Sequence, residues 1–561
     1  MRLPLAFLML CSSAVMAADA PGALETARRL AASGAARLAL YHIEQAQPRD
    51  PAAPRWAEWE VLRFSLLAQL GRHQDLLARA SAMPAATPAA PLREAWTLAA
   101  RAAAAAAQGA VARHYAARLL WQLNLSADAA REIRLIVIDS YVADRKGDEA
   151  FRGMLRFQQD YHPLERAIAT RFVEALLALG MENDAVNWLA SLDDASATKL
   201  MLRLKTGLVT DDGAIAQARA QLVKRRDIGY WRVIAEAAQR QKNPALQIEA
   251  LERILHLIEP GNPQPITALA RQLWQSYLAA AEEIGNRNQL LTGDDTHWTD
   301  FAARRLGASP FHSRAFFAYL ARRGQTPETR HNAQLQLVFS LYTGGLDLAA
   351  LRLFREEGTS VGALDGQTRH VLGTIAENHN EPTVALDYWR GLDTPPNIGA
   401  DEWHLRVANV ALRADKPDAG MAALKRMLDG RKTLSPDIAQ RVMLLAQEMA
   451  DAGKLNLAHE LFELLLPLAD SMRARGILFG LGRVNEVNGK SQAAADYFLR
   501  SALLAEGKAP DTFALQARLA AGLNLARAGY RDDARAQFEW LLRNSKDSAQ
   551  IEIARRELKK L

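Results

Sequence analysis

The chain has 561 residues, of which 49% are hydrophobic and 24% charged, and its formal net charge at pH 7 is +6. Its 69 Lys and Arg residues are interleaved with 63 Asp and Glu residues, a pattern that disfavours a nucleic-acid-binding surface. One cysteine excludes a disulfide framework, and the twelve histidines show no metal-ligand spacing. We therefore expect no cofactor, no metal and no nucleic-acid partner.

Residues 1–17 have the pattern of a secretory signal peptide. Arg2 is followed by the apolar stretch Leu3 to Leu10, and Val15 to Ala17 forms a small-residue cleavage site, so we expect the mature chain to begin at Ala18. The stretch is too short to span a bilayer, and Leu10 before Cys11 does not fit a lipid-modification signal. The sequence therefore predicts a periplasmic protein of a Gram-negative bacterium, with no transmembrane span in the mature chain.

Residues 18–259 are predicted to form degenerate helix pairs. Apolar residues recur with helical spacing in several segments, and each segment is followed by a polar turn and a second apolar helix. Pro84, Pro88 and Pro91 mark one connection between helices, and Pro163 marks another. The segments are Trp56 to Leu70, Leu92 to Ala107, Ala130 to Val142, Leu164 to Leu179 and Trp231 to Gln241.

The period breaks in residues 260–323, which we interpret as an irregular helical joint between two sub-arrays. A helix is predicted from Ile266 to Ile284, a polar irregular segment from Gly285 to Ser309, and a further helix from Phe311 to Leu320. Within the irregular segment, Gly293 to Trp298 brings two carboxylates and an imidazole together. A metal site would need more ligands, so a capped helix start with Trp298 packed inward is the favoured interpretation.

Residues 324–561 repeat one pattern six times. Each unit has a turn residue, a small residue seven positions earlier, a small residue five positions later and a large apolar residue four positions further on. The turns fall at Gly345, Asn380, Asp415, Gly453, Gly489 and Gly529, so successive spacings are 35, 35, 38, 36 and 40 residues. Such a period is typical of stacked helix pairs, in which no unit can bury its apolar face alone.

At these positions the array resembles the tetratricopeptide repeat family. The matching sets are Gly373 with Ala385 and Trp389, Ala446 with Ala458 and Phe462, Gly482 with Ala494 and Phe498, and Gly522 with Ala534 and Phe538. Two units are degenerate, because Val338 stands where a small residue is expected and Ala408 pairs with Gly420 and Leu424. The resemblance implies an all-α solenoid of antiparallel helix pairs, a TPR-like superhelix.

Three short motifs could suggest catalysis. Gly358 to Gly362 matches a hydrolase nucleophile elbow, but the preceding Leu351 to Glu357 is helical sequence and the elbow requires a strand. Glu282–Glu283 and Glu356–Glu357 lie in helical sequence and are interpreted as solvated faces. We therefore expect a binding protein rather than an enzyme.

The resemblance also implies where partners bind, since this family contacts ligands mainly through the first helix of each pair, on the concave side. Asn409 is the best single candidate, because this family favours Asn there for holding a ligand backbone. Arginine in such a groove suits carboxylate groups. The matching positions are Asn332, Phe339, Tyr342, His370, Glu377, Asn409, Arg413, Gln447, Phe479, Arg483, Gln516 and Arg527.

These features predict a periplasmic scaffold that binds a protein or extended peptide in envelope assembly, secretion or exopolysaccharide export. One alternative is a superhelical relative of the soluble lytic transglycosylases, although repeats occupy the end of the chain where their catalytic domain would lie. A second alternative is a solenoid that binds an anionic polysaccharide through Arg413, Arg483 and Arg527.

Overall fold

A computed structural model describes residues 20–259, 266–305, 309–355, 363–504 and 510–561, and every regular element in these ranges is a helix. The predicted signal peptide and the motif from Gly358 to Gly362 lie outside the described residues, as does the pair Glu356–Glu357. The chain divides into two compact units, residues 1–233 and 234–561. The predicted boundaries at residues 260 and 323 remain a prediction.

The first unit consists of short antiparallel helix pairs. A 3₁₀ turn, Val186–Ser191, completes the second helix of the fifth pair. The helices are α1 Ala20–Ala32, α2 Ala36–Ala46, α3 Trp56–Gln69, α4 His73–Ser81, α5 Ala89–Ala105, α6 Gly109–Gln122, α7 Ala127–Ala143, α8 Gly147–Asp160, α9 Arg166–Leu179, α10 Glu182–Ala185, α11 Ala197–Lys205 and α12 Asp211–Leu222, and α13 Ile228–Arg240 contains the boundary.

The second unit continues the same architecture to the last described helix. None of the described helices has both the length and the apolar character that a bilayer-spanning helix needs. Its helices are α14 Pro244–Leu257, α15 Ile266–Gly285, α16 Arg287–Thr292, α17 Asp295–Arg305, α18 Pro310–Arg323, α19 Pro327–Thr343, α20 Asp347–Arg355, α21 Gly366–Asn378, α22 Pro382–Trp389, α23 Ala400–Arg413, α24 Pro417–Leu428, α25 Pro436–Asp451, α26 Leu455–Leu465, α27 Ser471–Val487, α28 Ser491–Leu503, α29 Thr512–Arg527, α30 Arg531–Asn544 and α31 Ser548–Leu558.

The same backbone turn joins the two helices in each of the six C-terminal pairs. All six predicted turn residues have a left-handed conformation, with φ from 53° at Asp415 to 87° at Gly529. The amide after the turn residue donates to the carbonyl five residues earlier, as from Leu346 to Leu341 at 2.9 Å, which satisfies a free carbonyl at the helix end. The predicted fold class, an all-α solenoid of antiparallel helix pairs, is confirmed within each unit.

The same turn recurs in the N-terminal half, where the sequence pattern was weak. Three of its turn residues, Ala107, Arg145 and Lys242, are not glycine or asparagine, although φ is 54° to 55° at each. A residue with a Cβ adopts this conformation at a cost of about 1–2 kcal/mol, which the surrounding hydrogen bonds and packing offset. The same turn, with the same backbone hydrogen bond, also occurs at Gly34, Gly71, Gly180 and Gly207.

Small residues let the two helices of a pair approach closely. Ala385, Ala458, Ala494 and Ala534 are all fully buried at the predicted position in the second helix. In the N-terminal half, Ala39, Ala112, Ala150 and Ala185 occupy the equivalent position, five residues after the turn, and are also fully buried. Each pair therefore buries its large apolar residues against the next helix.

The segment from Gly285 to Ser309, predicted to be irregular, contains the helices α16 and α17, so that expectation was wrong over most of its length. Asp294 accepts a hydrogen bond from the Thr296 amide at 2.8 Å. Trp298 is buried and stacks on Phe316, with ring centroids 5.1 Å apart. Because the sequence of this segment is mostly polar, its hydropathy does not reveal the two helices. The aromatic contact holds them against α18.

A buried polar cluster joins four helices that are distant in sequence. Glu252 on α14 accepts from Arg314 on α18 and from the Tyr277 hydroxyl on α15, both at 2.6 Å. Arg352 on α20 is also buried and donates to the carbonyls of Leu255 and Ile258 at the end of α14. These charge-assisted bonds hold α14, α15, α18 and α20 in one arrangement.

Candidate functional site

The twelve predicted contact residues all lie on the first helices of the last six pairs, from α19 to α29. His370, Glu377 and Phe479 are half-buried, and the other nine are exposed. Two of the exposed side chains are aromatic, since 41% of Phe339 and 47% of Tyr342 is accessible. Large apolar side chains left open to solvent in this way are candidate contacts for a partner.

Arginine–carboxylate pairs connect consecutive first helices along this row. Glu377 on α21 accepts from Arg406 on α23 at 2.7 Å, and Glu486 on α27 accepts from Arg527 on α29 at 2.6 Å. Two further pairs, Arg441 with Glu402 at 3.0 Å and Arg475 with Asp511 at 2.8 Å, connect α25 with α23 and α27 with α29. Pairs that are exposed add little stability, but all four engage side chains that could otherwise bind a ligand.

Two of the three arginines of the predicted basic groove are bound to neighbouring side chains. Arg527 is bound to Glu486, and Arg413 donates to the side-chain oxygen of Asn380 at 2.9 Å. Of the three arginines, only Arg527 forms an ion pair among the described residues. The structure therefore offers an anionic polysaccharide two guanidinium groups that have no carboxylate partner among the described residues, where the sequence suggested three.

The pair between Arg475 and Asp511 predicts an acid-sensitive contribution to stability. The hydrogen bond from Arg475, followed by one from the Ala514 amide, lowers the pKa of Asp511 to about 2. Because the folded-state pKa is depressed, this contribution is present above the ordinary pKa near 3.8 and is lost as the pH falls towards 2. The difference in denaturation midpoint between the protein and its Asp511→Asn variant should stay constant from pH 7 to about 5 and then shrink.

The Asp511→Asn substitution removes the negative charge but keeps a residue that can cap α29, so it tests the contribution of the charge. In an Arg475→Gln background, the folded-state pKa of Asp511 should rise towards 3.8, so the acid-dependent change should become smaller and be complete at a higher pH. A difference between the protein and Asp511→Asn that does not vary with pH would show that the ion pair contributes nothing.

A cavity of about 910 Å³ lies at the beginning of this row of helices. It is bounded by α19 from Glu328 to Phe339, by the first half of α21 and by the connection between α22 and α23. It brings together three of the predicted contact residues, Asn332, Phe339 and His370. The volume lies within the range of about 300–1,000 Å³ that is usual for ligand sites, so this is the candidate binding site.

Backbone contacts hold the connection between α22 and α23 over the cavity. The guanidinium of Arg369 donates to the carbonyl of Tyr388 at 3.0 Å and to that of Arg390. A turn between Pro395 and Ile398 closes the other end of the connection, with an amide–carbonyl distance of 3.1 Å. These hydrogen bonds hold this wall of the cavity in place.

His370 contributes a neutral imidazole to the cavity. Burial lowers its pKa, and the nearby Arg406 lowers it further, so the ring is uncharged near neutral pH. The ring packs edge-on against Trp403 with centroids 5.4 Å apart. The side chain therefore acts here as a polar and aromatic surface rather than as a cation.

The other predicted contact residues lie further along the row, outside the cavity. Phe479 packs on Phe498 and Phe513, with centroids 5.1 Å apart in each case. Asn409, Gln447 and Gln516 are exposed. The cavity is at α19 and α21, and these side chains lie on the first helices that follow, α23 to α29. A role for these side chains in binding a partner remains a prediction.

The sequence interpretation missed the residues that the connection brings to the cavity. Glu328, Asp393 and Arg369 line it but were not predicted, because they lie outside the positions that the repeat pattern singles out. The signal was present as Pro395–Pro396, in a connection of ten residues between α22 and α23. In the described ranges, no three His, Cys, Asp or Glu side chains are placed to hold a metal ion.

No protein-family model matches the chain, and no curated protein is similar to it. Three solved structures, each 12% identical, are similar in arrangement: the Cut9–Hcn1 hetero-tetramer of the APC/C, Naa15/Naa10 bound to HypK-THB, and the pentatricopeptide repeat protein PPR10 from maize. They cover 95%, 96% and 96% of this chain and 95%, 96% and 92% of their own, with TM-scores of 0.29, 0.26 and 0.27. At these TM-scores the likenesses support no inference about this chain.

Proposed function

We propose that this chain is a periplasmic scaffold that binds an extended segment of another cell-envelope protein along its first helices. The observation that carries the proposal is the cavity at α19 and α21, where Asn332, Phe339 and His370 meet. A prearranged site of this kind costs little conformational entropy when a ligand binds. The exposed Tyr342, one helical turn beyond Phe339, extends the surface along the same helix.

The proposed location and process come from the sequence. The pattern of residues 1–17 supports export to the periplasm, and a repeat array with an open face suits assembly, secretion or exopolysaccharide export machinery. Fractionation should find the protein in the periplasm, with Ala18 as its first residue. Recovery from the cytoplasm with an intact first segment would contradict this part of the proposal.

Site-specific photo-crosslinking in intact cells tests the binding face. A photoreactive phenylalanine analogue at position 339, 342 or 409 should give a discrete crosslinked protein, since all three side chains are exposed on first helices. The same analogue at Arg500 on α28 or Glu539 on α30, both exposed on second helices, should give none or far less. Mass spectrometry of the crosslinked product identifies the partner.

A second measurement separates binding from folding. Once the partner is identified, replacing both Phe339 and Tyr342 by alanine should lower its capture by the protein at least tenfold. Each substitution removes an exposed aromatic side chain that would contact the partner. Helical content by circular dichroism should stay unchanged, since neither side chain is buried. Equal crosslinking from first and second helices, or full capture by the double variant, would refute the proposed face.

A further inference from the structure

We propose that the cavity at α19 and α21 binds a basic side chain, Arg or Lys, beside an aliphatic residue in an extended segment of the partner protein. This inference rests on the proposed function and assigns the chemistry of its ligand. It depends on the charges around the cavity, on the direction of its one arginine and on its apolar walls. Each of these is a property of residues on α19, α21 and the connection before α23.

Three carboxylates surround the cavity. Glu328 lies in the first turn of α19, Asp365 precedes α21, and Asp393 lies in the connection. Among the described residues, no Lys or Arg nitrogen comes within ion-pair distance of any of the three. Along the rest of this row, by contrast, the carboxylates Glu377, Glu402 and Glu486 are each paired with an arginine of the next first helix.

The cations of the cavity do not neutralise these carboxylates. Arg369 is the one Lys or Arg in the lining, so the formal charge of the three carboxylates and this guanidinium is −2. Its donors are directed to the carbonyls of Tyr388 and Arg390. His370 adds no charge near neutral pH, because burial lowers its pKa. The site therefore attracts a cation and repels an anionic ligand.

Part of the cavity wall is apolar. Leu335, Val371, Leu392 and Ile398 line it together with Phe339 and the two prolines. Such walls suit the methylene stem of Arg or Lys, with the charged end held at the carboxylates, and an adjacent aliphatic side chain. Sugar hydroxyl groups placed against this apolar part of the wall would lack hydrogen-bond partners. A peptide is therefore favoured over a cationic polysaccharide.

Two matched pools of fluorescent octapeptides test the inference. Both pools have degenerate flanking positions; one has Leu-Arg at its centre and the other has Leu-Glu. We expect the protein to bind the Leu-Arg pool about tenfold more tightly at low salt, with the difference falling as salt screens the charges. A pool that binds equally well with Glu in place of Arg would overturn the inference.

Charge reversal locates the binding. Glu328→Lys combined with Asp393→Lys should reverse the preference between the two pools, and both side chains are exposed and unpaired, so the fold should tolerate the change. The control variant, Glu539→Lys with Glu552→Lys, makes the same change in net charge at exposed positions on α30 and α31 and should leave the preference intact. An unchanged preference in the first variant would assign binding to another surface and refute the inference.

Two further outcomes are informative. Glucosamine oligomers that compete more strongly than the Leu-Arg pool would overturn the inference in favour of a cationic polysaccharide. If neither pool binds while crosslinking from position 339 persists in cells, the inference fails and the scaffold function stands. If crosslinking from the first helices is also absent, the proposed function fails as well.

Discussion

Replacing Arg314 by methionine should lower the free energy of unfolding of the second unit by about 3–5 kcal/mol, because it leaves a buried carboxylate without its cation. Glu252 is 4% exposed and Arg314 9%, and the atoms of the pair are 2.6 Å apart. Burial already raises the pKa of Glu252, and the guanidinium is the main opposing influence. Urea denaturation measures this loss as a lower midpoint, and hydrogen exchange measures it as reduced protection of the amides in α14 and α18.

Two variants show whether the charge is the cause. In the Arg314→Met background, Glu252→Gln should restore more than half of the loss, since a neutral amide can still accept from the Tyr277 hydroxyl. Arg304→Met is the matched control, because Arg304 is mostly exposed beside Asp300, and its effect should be within about 0.5 kcal/mol. A loss below 1 kcal/mol for Arg314→Met would show that water or rearrangement compensates Glu252.

Replacing Gly373 by valine should destabilise the pair formed by α21 and α22 by about 2–3 kcal/mol, through overpacking. A Cβ at this position would lie 2.5 Å from Cδ1 of Trp389 and closer still to its indole nitrogen. The ring cannot move aside easily, because it is buried against Trp403 with centroids 5.1 Å apart. Hydrogen exchange in α21, α22 and α23 should show the loss of protection.

Gly476 on α27 provides the control for the change in helix propensity. A Cβ there meets only the sulfur of Met443 at 3.4 Å, at the end of a flexible side chain, so Gly476→Val should cost less than about 1 kcal/mol. In a Trp389→Leu background, Gly373→Val should lower the free energy of unfolding by at least about 1 kcal/mol less than it does in the unchanged protein, because the indole ring that the valine would contact is gone. Equal effects of the two valine substitutions would contradict close packing at Gly373.

The repeat pattern could be predicted because its determinants are local. The left-handed turn and the small residue five positions later lie within one helix pair, so glycines such as Gly345 and Gly529 reveal the turn directly. In the N-terminal half the same turn contains Ala107, Arg145 or Lys242, whose identities do not indicate a positive φ. The tertiary contacts impose the conformation there, and the sequence pattern is correspondingly weak.

The candidate site could be predicted only in part. The family resemblance placed Asn332, Phe339 and His370 on one face, and these three line the cavity. It could not indicate that Asp393 would line the same cavity, because this residue is in a connection 65 residues after Glu328. Nor could it show which groove arginines are available, since Arg527 is bound to a carboxylate on the preceding first helix.

By itself, the sequence determined that the chain forms helix pairs, where most of the helices lie and which residues occupy the close contacts within each pair of the C-terminal array. Hydropathy period, helix caps and turn residues act over a few positions, and they can be read directly from the chain. The tertiary structure alone decided the pairing of charges, the buried cluster around Glu252 and the sign of the charge at the cavity. These properties depend on side chains brought together from distant positions, and the interaction energy of two charges is set by their separation and burial rather than by their order in the sequence.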